Sequence, residues 1–380
     1  MLTDQFFDDT HRLLRESVRR FVERDVLPYI DEWEEAEEFP LELYKKAGDA
    51  GFLGIGYPEE LGGNGGDQFH RVVFSEEIMR AGSGGLAAGL GSHDIGIPPI
   101  VRLGSQALKE KVVPPVLRGE KVAALAITEP GGGSDVANLQ TRAVREGDRY
   151  RLNGSKTFIT SGCRADFYTV GVRTGGEGFG GISLIMVEKG TPGFSVGKKF
   201  KKMGWRCSDT AELFFDDCMV PAENLIGGEN QGFAAIMGNF QSERLMLSIM
   251  ANMTARLALE QSLAYVRERE AFGRPVAKFQ VTRHKLADMA TMLQASEALT
   301  YQVADAMNKG KSVIREVSMA KNFATDCSDK LTYQAVQLFG GMGFMQECMV
   351  ERLYRDNRIL SLGGGTREIM NEIISKQMGL

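Results

Sequence analysis

LQTRAVREGDRYRLNGSKTFIT, residues 139–160, is the stretch on which the fold of this chain turns. Residues 139–146 and 149–152 are short runs rich in β-formers, and Gly147-Asp148 between them has the composition of a tight hairpin turn. A third run follows at 157–160. Moving outward, the same signature returns at 167–173, 182–188 and 212–215, with Gly, Asp and Asn between the runs. Residues 121–232 are therefore expected to form an antiparallel β-domain.

On either side the period changes. From Phe6 to about Glu120 the apolar residues recur at helical spacing and the breaks fall at Pro and Gly. Leu41, Leu43, Tyr44 and Ala47, preceded by Pro40 and closed by Gly51, predict one helix, and residues 68–80, closed by Gly82, predict another. Helical periodicity resumes at Phe233 and runs in long segments to Leu380, which predicts a packed bundle. The expected fold class is α+β: an N-terminal α-helical domain (1–120), a middle antiparallel β-domain (121–232) and a C-terminal four-helix bundle (233–380).

With 380 residues, 43% hydrophobic and 25% charged, the chain has material for a large core, and its net charge of -5 is spread without blocks of one sign. That balance disfavours a nucleic-acid or anionic-membrane surface and suits a small-molecule enzyme. No apolar run is long enough to span a bilayer and nothing reads as a signal peptide, so membrane insertion is not expected and a cytoplasmic, bacterial-type location is. Five cysteines without C-x-x-C spacing read as buried thiols. His11, His70, His93 and His284 show no i, i+4 pair, which turns the reading away from metal catalysis.

Two glycine-rich segments read differently. Gly176-Glu177-Gly178-Phe179-Gly180-Gly181 has the G-x-G-x-x-G spacing of dinucleotide-binding turns, but it lies between two β runs and opens no helix, so it is expected to be a hairpin loop. ITEPGGGSD, residues 127–135, ends a strand and enters a small-residue loop with hydroxyl donors. Such a loop can approach a flavin or a pyrophosphate closely, or it can be a tight crossover whose glycines supply positive φ.

In the segment after Phe233, the residues Phe233, Ile236, Met237, Phe240, Leu247 and Met250 form one helical face, and Glu243 and Arg244 fall on it. An ionised carboxylate on an apolar stripe is costly unless paired or functional. Either the two side chains belong to buried structural ion pairs with partners elsewhere, or Glu243 is a catalytic carboxylate in a desolvated cleft.

Five ordered motifs, ITEPGGGSD (127–135), NGSKTFITSG (153–162), REAFGRPVAKFQ (269–280), QLFGGMG (337–343) and YRD followed by GGGT (354–356, 363–366), resemble the acyl-CoA dehydrogenase family over nearly the whole chain. The resemblance implies FAD, with its isoalloxazine near Ile127, Thr128, Phe158 and Thr160, the loop residues Gly133 and Ser134 beside it, and Ser134 also near the pyrophosphate and the CoA moiety. It implies a homotetramer in which a neighbouring subunit completes the cofactor site through Arg269, Phe272, Phe279, Gln280, Gln337, Gly340 and Gly341, with Thr366 and Glu368 as further FAD contacts. Where many members carry Trp this chain has Phe158, which keeps a stacking wall but has no indole N–H.

Many members place a catalytic Glu at the position held here by Gly364. A subgroup resembling long-chain and isovaleryl-CoA dehydrogenases takes it from the first bundle helix, where Glu243-Arg244 matches. The implied reaction is α,β-dehydrogenation of an acyl-CoA thioester in fatty-acid or branched-chain catabolism, with electrons passed to an electron-transferring flavoprotein. Glu243 is the implied base, and the Gly364 N–H and an FAD ribityl hydroxyl hold the thioester oxygen. Ser134, Gln241, Arg244, Gly363 and Gly365 are expected on the substrate side, Gly363 leaving room for a methyl branch or serving a loop that needs positive φ. The alternatives are a flavin oxidase or monooxygenase on the same fold, and a non-catalytic acyl-CoA-binding relative.

Overall fold

The computed structural model describes residues 4–380. Eight helices make the N-terminal part: α1 (Asp9–Asp25), α2 (Ile30–Ala36), α3 (Glu42–Asp49), α4 (Gln68–Met79), α5 (Gly84–Leu90), α6 (His93–Gly96), α7 (Pro98–Leu103) and α8 (Gln106–Leu117). The helices expected around residues 41–51 and 68–80 are α3 and α4, and Gly51 turns the chain past α3 with φ 78°.

Two histidines distant in sequence meet here. His11 and His70 are the third residues of α1 and α4, and each ring accepts the backbone N–H of its own N-cap aspartate, Asp8 at 3.0 Å and Asp67 at 3.2 Å. His11 Nε2 also meets Asp67 Oδ1 at 2.9 Å, so two capping boxes are tied into one brace between α1 and α4. A metal at this trio would have to displace the cap hydrogen bonds made at the Nδ1 atoms of both rings. Sequence spacing set these histidines apart; the fold brings them together for a structural purpose.

The middle of the chain forms an eight-stranded sheet from β1 (Ala123–Ala126), β2 (Arg142–Glu146), β3 (Arg149–Thr160), β4 (Phe167–Arg173), β5 (Ile182–Glu188), β6 (Phe194–Lys199), β7 (Thr210–Pro221) and β8 (Leu225–Ile226), in the order β6-β7-β3-β2-β4-β5-β8 with β1 beside β4. The long ladders are antiparallel, but β1 pairs with β4 in parallel, as does the single β2–β4 pairing at Arg142 and Arg173. The runs at 149–152 and 157–160 are one strand, bent by irregularities against β7 between Leu152 and Gly154 and between Lys156 and Ile159. The Gly176–Gly181 segment lies in the loop between the antiparallel neighbours β4 and β5, as its position between β runs predicts.

The C-terminal part holds three long helices, α9 (Gly232–Glu268), α10 (Gln280–Asn308) and α11 (Ile314–Phe339), with α12 (Met349–Asn357) and α13 (Arg367–Gln377) packed on α11. A two-stranded hairpin, β9 (Glu270–Ala271) and β10 (Arg274–Pro275), joins α9 to α10. At 1.5 Å per residue α9 is about 55 Å long. It packs on α4 as well as on α10 and α11, so it joins the two helical parts. No helix among the described residues is long and apolar enough to cross a membrane. Cys207, Cys218 and Cys327 are buried thiols as expected, whereas Cys163 and Cys348 are only half-buried.

Candidate active site

The loop after β1 is fixed from below by a buried ion pair that the sequence reading did not single out. Lys156 on β3 is 0% exposed, and its Nζ donates to Ile127 O at 3.0 Å and to Glu129 Oε1 at 2.8 Å. The Glu129 carboxylate also accepts the N–H groups of Gln140 (2.6 Å) and Thr141 (2.8 Å), and Thr157 N–H donates to Thr128 O. Burial pushes the Lys156 amine down to about 8 in spite of Glu129. Burial acts upward on Glu129, but Lys156 and the donors from 140 and 141 outweigh it and hold the carboxyl below its usual range.

Above this anchor the chain turns tightly, Glu129 and Gly132 exchanging backbone hydrogen bonds, but Gly131, Gly132 and Gly133 have no positive φ, so the turn does not call for glycine by its backbone angles. A Cβ on Gly131 or Gly132 would meet nothing within 4 Å, and a cavity of about 110 Å³ lies among Ile127, Thr128, Glu129, Gly133 and Leu139. The backbone here is open to a ligand. Beside it Phe158 is 65% exposed and held at φ 58°, a conformation that bulky residues avoid, with its ring 5.3 Å from Phe200. Thr160, half-buried, ends the same strand. An open glycine backbone beside an exposed aromatic ring fits a planar, phosphate-bearing cofactor. Ser134 lies exposed in this loop.

Across from the loop stands α9. Phe233, Met237 and Phe240 pack against the apolar cluster that contains Ile127 and Leu139, which brings the start of α9 to the loop. Glu243 follows Phe240 by one turn. Its Oε2 is shielded from solvent and has no hydrogen-bond partner, and no ion pair is formed with Arg244, whose Nε donates instead to Gly364 O at 3.2 Å. The structural ion-pair reading of Glu243 therefore fails. Burial raises the carboxyl above its ordinary value, and the opposing charges of Lys321 and Arg244 do not cancel the rise. Gln241, about 200° away around the helix, faces another flank and does not converge on Glu243.

The glycine loop before α13 closes the site. Gly364 has φ 63° and Gly365 φ 100°, and a Cβ on either would press on Leu247 Cδ1 at 2.8 Å or Met370 Cε at 2.7 Å, so both positions need glycine. Gly363 is different: it has no positive φ, and a Cβ there would meet only Ile359 O at 3.6 Å. Its small size leaves space and is not a backbone requirement. A Cβ on Gly364 would lie 3.5 Å from Glu243 Oε1, so the carboxylate reaches the point where a side chain at 364 would begin. The Gly363 N–H donates to Ile359 O, whereas the Gly364 N–H donates to nothing among the described residues. Lys321 of α11, 1% exposed and also absent from the sequence reading, donates to Gly363 O at 2.6 Å and Gly365 O at 2.5 Å. Burial lowers its amine to about 8, with Glu243 opposing.

The remaining candidates fall into two groups. Thr366 caps α13 through Ile369 N–H, and Glu368 is exposed on the first turn of that helix. Arg269, Phe272, Phe279, Gln280, Gln337, Gly340 and Gly341 gather at one end of the bundle. Tyr265 stacks on Phe339 at 4.1 Å, and Arg269 N–H donates to Tyr265 O, which links the β9–β10 hairpin to the end of α11. Phe272 is 96% exposed at φ 53°, Phe279 lies edge-on to it at 6.2 Å, and Arg274 covers Phe279 at 4.3 Å. Phe344, a few residues beyond Gly341, is 82% exposed.

Residues 8–120, 124–218 and 230–379 match the acyl-CoA dehydrogenase N-terminal, middle and C-terminal domains. The long-chain specific acyl-CoA dehydrogenase of Rattus norvegicus mitochondria is 40% identical over 98% of this chain and 87% of its own length. A crystal structure described as a probable acyl-CoA dehydrogenase from Mycobacterium abscessus superposes with a TM-score of 0.97 at 51% identity, covering 98% of this chain and 100% of that one. A glutaryl-CoA dehydrogenase from Mycobacterium smegmatis, solved in complex with FADH2, gives a TM-score of 0.93 at 28% identity over 99% of this chain and 96% of its own.

Proposed function

Because the chain belongs to the acyl-CoA dehydrogenase family, an enzyme family that uses FAD, we propose that it converts an acyl-CoA thioester to the trans-2-enoyl-CoA with Glu243 as the base that takes the α-proton. The observation that carries this reading is the convergence of an unpartnered, shielded carboxylate on an uncommitted backbone N–H at Gly364. A thioester carbonyl held by that N–H places Cα beside the carboxylate, and its oxygen takes up charge as the proton leaves. FAD, when bound, supplies the acceptor for the hydride from Cβ. Ile127, Thr128, Gly133, Ser134, Phe158 and Thr160 would hold it, with Thr366 and Glu368 nearby. Arg244 fixes the Gly364 carbonyl through its Nε.

The exposed aromatic end of the bundle supports assembly into a homotetramer in which Arg269, Phe272, Phe279, Gln280, Gln337, Gly340 and Gly341 complete a neighbour's cofactor site. Electron-transferring flavoprotein is the proposed acceptor and fatty-acid or branched-chain acyl breakdown the proposed setting. Anaerobic addition of acyl-CoA thioesters to the FAD-loaded protein should bleach the flavin. No bleaching with any thioester would remove the reading, and rapid peroxide formation in air would favour an oxidase.

Glu243 must be ionised to accept a proton, and burial raises its pKa. The rate of flavin reduction is thus expected to climb with pH along a limb lying above the ordinary 4.5 of a glutamate. A limb at or below that value would contradict the burial argument.

The space at Gly363 points to substrates branched near Cα and Cβ. Gly363→Tyr is expected to lower turnover of an isovaleryl-type thioester at least about tenfold relative to a palmitoyl one, the scale on which a filled pocket excludes a methyl group. Equal loss for both thioesters, or a wild-type enzyme restricted to straight chains, would remove the role of Gly363.

A further inference from the structure

Each peptide of the 363–365 loop has its carbonyl held by a cation. Lys321 takes Gly363 O and Gly365 O, and Arg244 takes Gly364 O. The first of these bonds matters most, because Gly363 C=O and Gly364 N–H belong to the same peptide unit. That unit is trans and planar, so its N–H points opposite to its C=O. Drawing the oxygen toward Lys321 aims the Gly364 N–H away from α11, and a protonated donor on the carbonyl polarises the amide and strengthens its N–H as a donor.

Resting on the assignment of this N–H as the donor to the thioester oxygen, we propose that Lys321 is a positioning residue, clamping two carbonyls of the glycine loop so that the Gly364 amide is aimed and polarised for the substrate carbonyl. The loop needs such a clamp. Gly364 and Gly365 are glycines at positive φ with the widest backbone freedom of any residue, and only the carbonyl bonds limit rotation of the peptide between Gly363 and Gly364. The arrangement also explains a lysine that is almost wholly buried and yet forms no ion pair among the described residues: two of its N–H bonds are given to carbonyl oxygens. Lys321 touches neither cofactor nor reacting atoms in this scheme. It acts through the loop.

The test compares FAD-loaded wild type with Lys321→Met and Lys321→Gln. Two quantities are read: the anaerobic rate of flavin reduction at saturating acyl-CoA, and the infrared stretch of the thioester carbonyl in bound enoyl-CoA labelled with ¹³C at C1. Both variants are expected to slow reduction at least about tenfold, less than full removal of a donor would, with KM changed under about threefold. The carbonyl band should move to higher wavenumber as the hydrogen bond weakens. Glu243→Gln, by contrast, should lose rate and leave the band in place. A rate within twofold of wild type with an unmoved band overturns the proposal. So does a lost rate with an unmoved band, since Lys321 would then act on the Glu243 carboxylate and not on the loop. Should the neutral variants fail to take up FAD, Lys321→Arg decides: its two-pronged head can span both carbonyls and should keep the band within the wild-type position, and a shifted band at full rate refutes the clamp. A wild-type enzyme that no thioester bleaches sinks the dehydrogenation reading itself, and is recognised before any variant is made.

Discussion

Glu243→Gln is expected to fold, to bind FAD, and to reduce its flavin with acyl-CoA at least about a hundredfold more slowly than the wild type, the usual scale for losing a positioned base. The substitution is nearly isosteric, and nothing among the described residues hydrogen-bonds the shielded Oε2, so no structural partner is lost with it. Packing gives the same answer, because Gln keeps the shape that Glu243 presents to Gly364. What changes is the capacity to accept a proton. Single-turnover reduction under anaerobic conditions measures this step directly, and a rate within a few fold of wild type would move the base elsewhere. Restoring a carboxylate at the loop by Gly364→Glu in that variant meets two obstacles, since its Cβ would press on Leu247 at 2.8 Å and the backbone sits at positive φ. Pairing it with Leu247→Ala is the fairer version.

The second large effect is expected at the anchor beneath the cofactor loop, and its two halves should differ. Lys156→Met leaves the Glu129 carboxylate buried with two backbone donors but no countercharge, which should destabilise the fold by about 3 kcal/mol and loosen the segment that receives FAD. Glu129→Gln should do less. It keeps acceptor capacity toward the same amides, and Lys156, already held to about 8 by burial, can give up its proton near neutral pH at small expense. The sign follows from linkage. A lysine whose folded pKa is depressed penalises folding while both states are protonated, and the penalty shrinks as pH rises from about 8 toward its unfolded 10.5. Both proteins should therefore gain stability as pH rises above about 8, and in Glu129→Gln, where Lys156 has lost the charge that favours its proton, the gain should begin at a lower pH than in wild type. Melting curves and retained FAD across pH 7 to 10 check both statements, and equal losses for the two variants would show that the pair acts only as packing.

What could be read in the sequence was whatever repeats or carries local chemistry. The switch from helical to β period placed the three parts, and the turn chemistry at Gly147-Asp148 placed a hairpin. β1 was legible only as the strand that residues 127–135 end: Ala123–Ala126 has no β-branched residue, and its parallel pairing with β4, a partner more than forty residues away, could not be read locally. Glu243 was visible because a charge on an apolar stripe is out of place in one dimension. Lys156 and Lys321 were not, since a single lysine looks solvated until the fold surrounds it. The same limit hid the meeting of His11, Asp67 and His70. Neither did the sequence separate the glycines of the last motif by purpose: Gly364 and Gly365 answer to backbone angle, Gly363 to open space.

The loop between β4 and β5 shows what a glycine pattern leaves unsaid. Arg173 donates to Gly176 O at 2.5 Å and Gly178 O at 3.0 Å, and reaches back to Leu139 O and Ala137 O at 2.8 Å each. A turn that cradles phosphate presents amide hydrogens toward its centre; this one presents oxygens, and a guanidinium fills it. Its polarity is inverted, so the turn holds a cation where the spelling G-x-G-x-x-G invites an anion. The letters are shared between the two kinds of turn, and the direction in which the peptide dipoles face decides which ion each can keep.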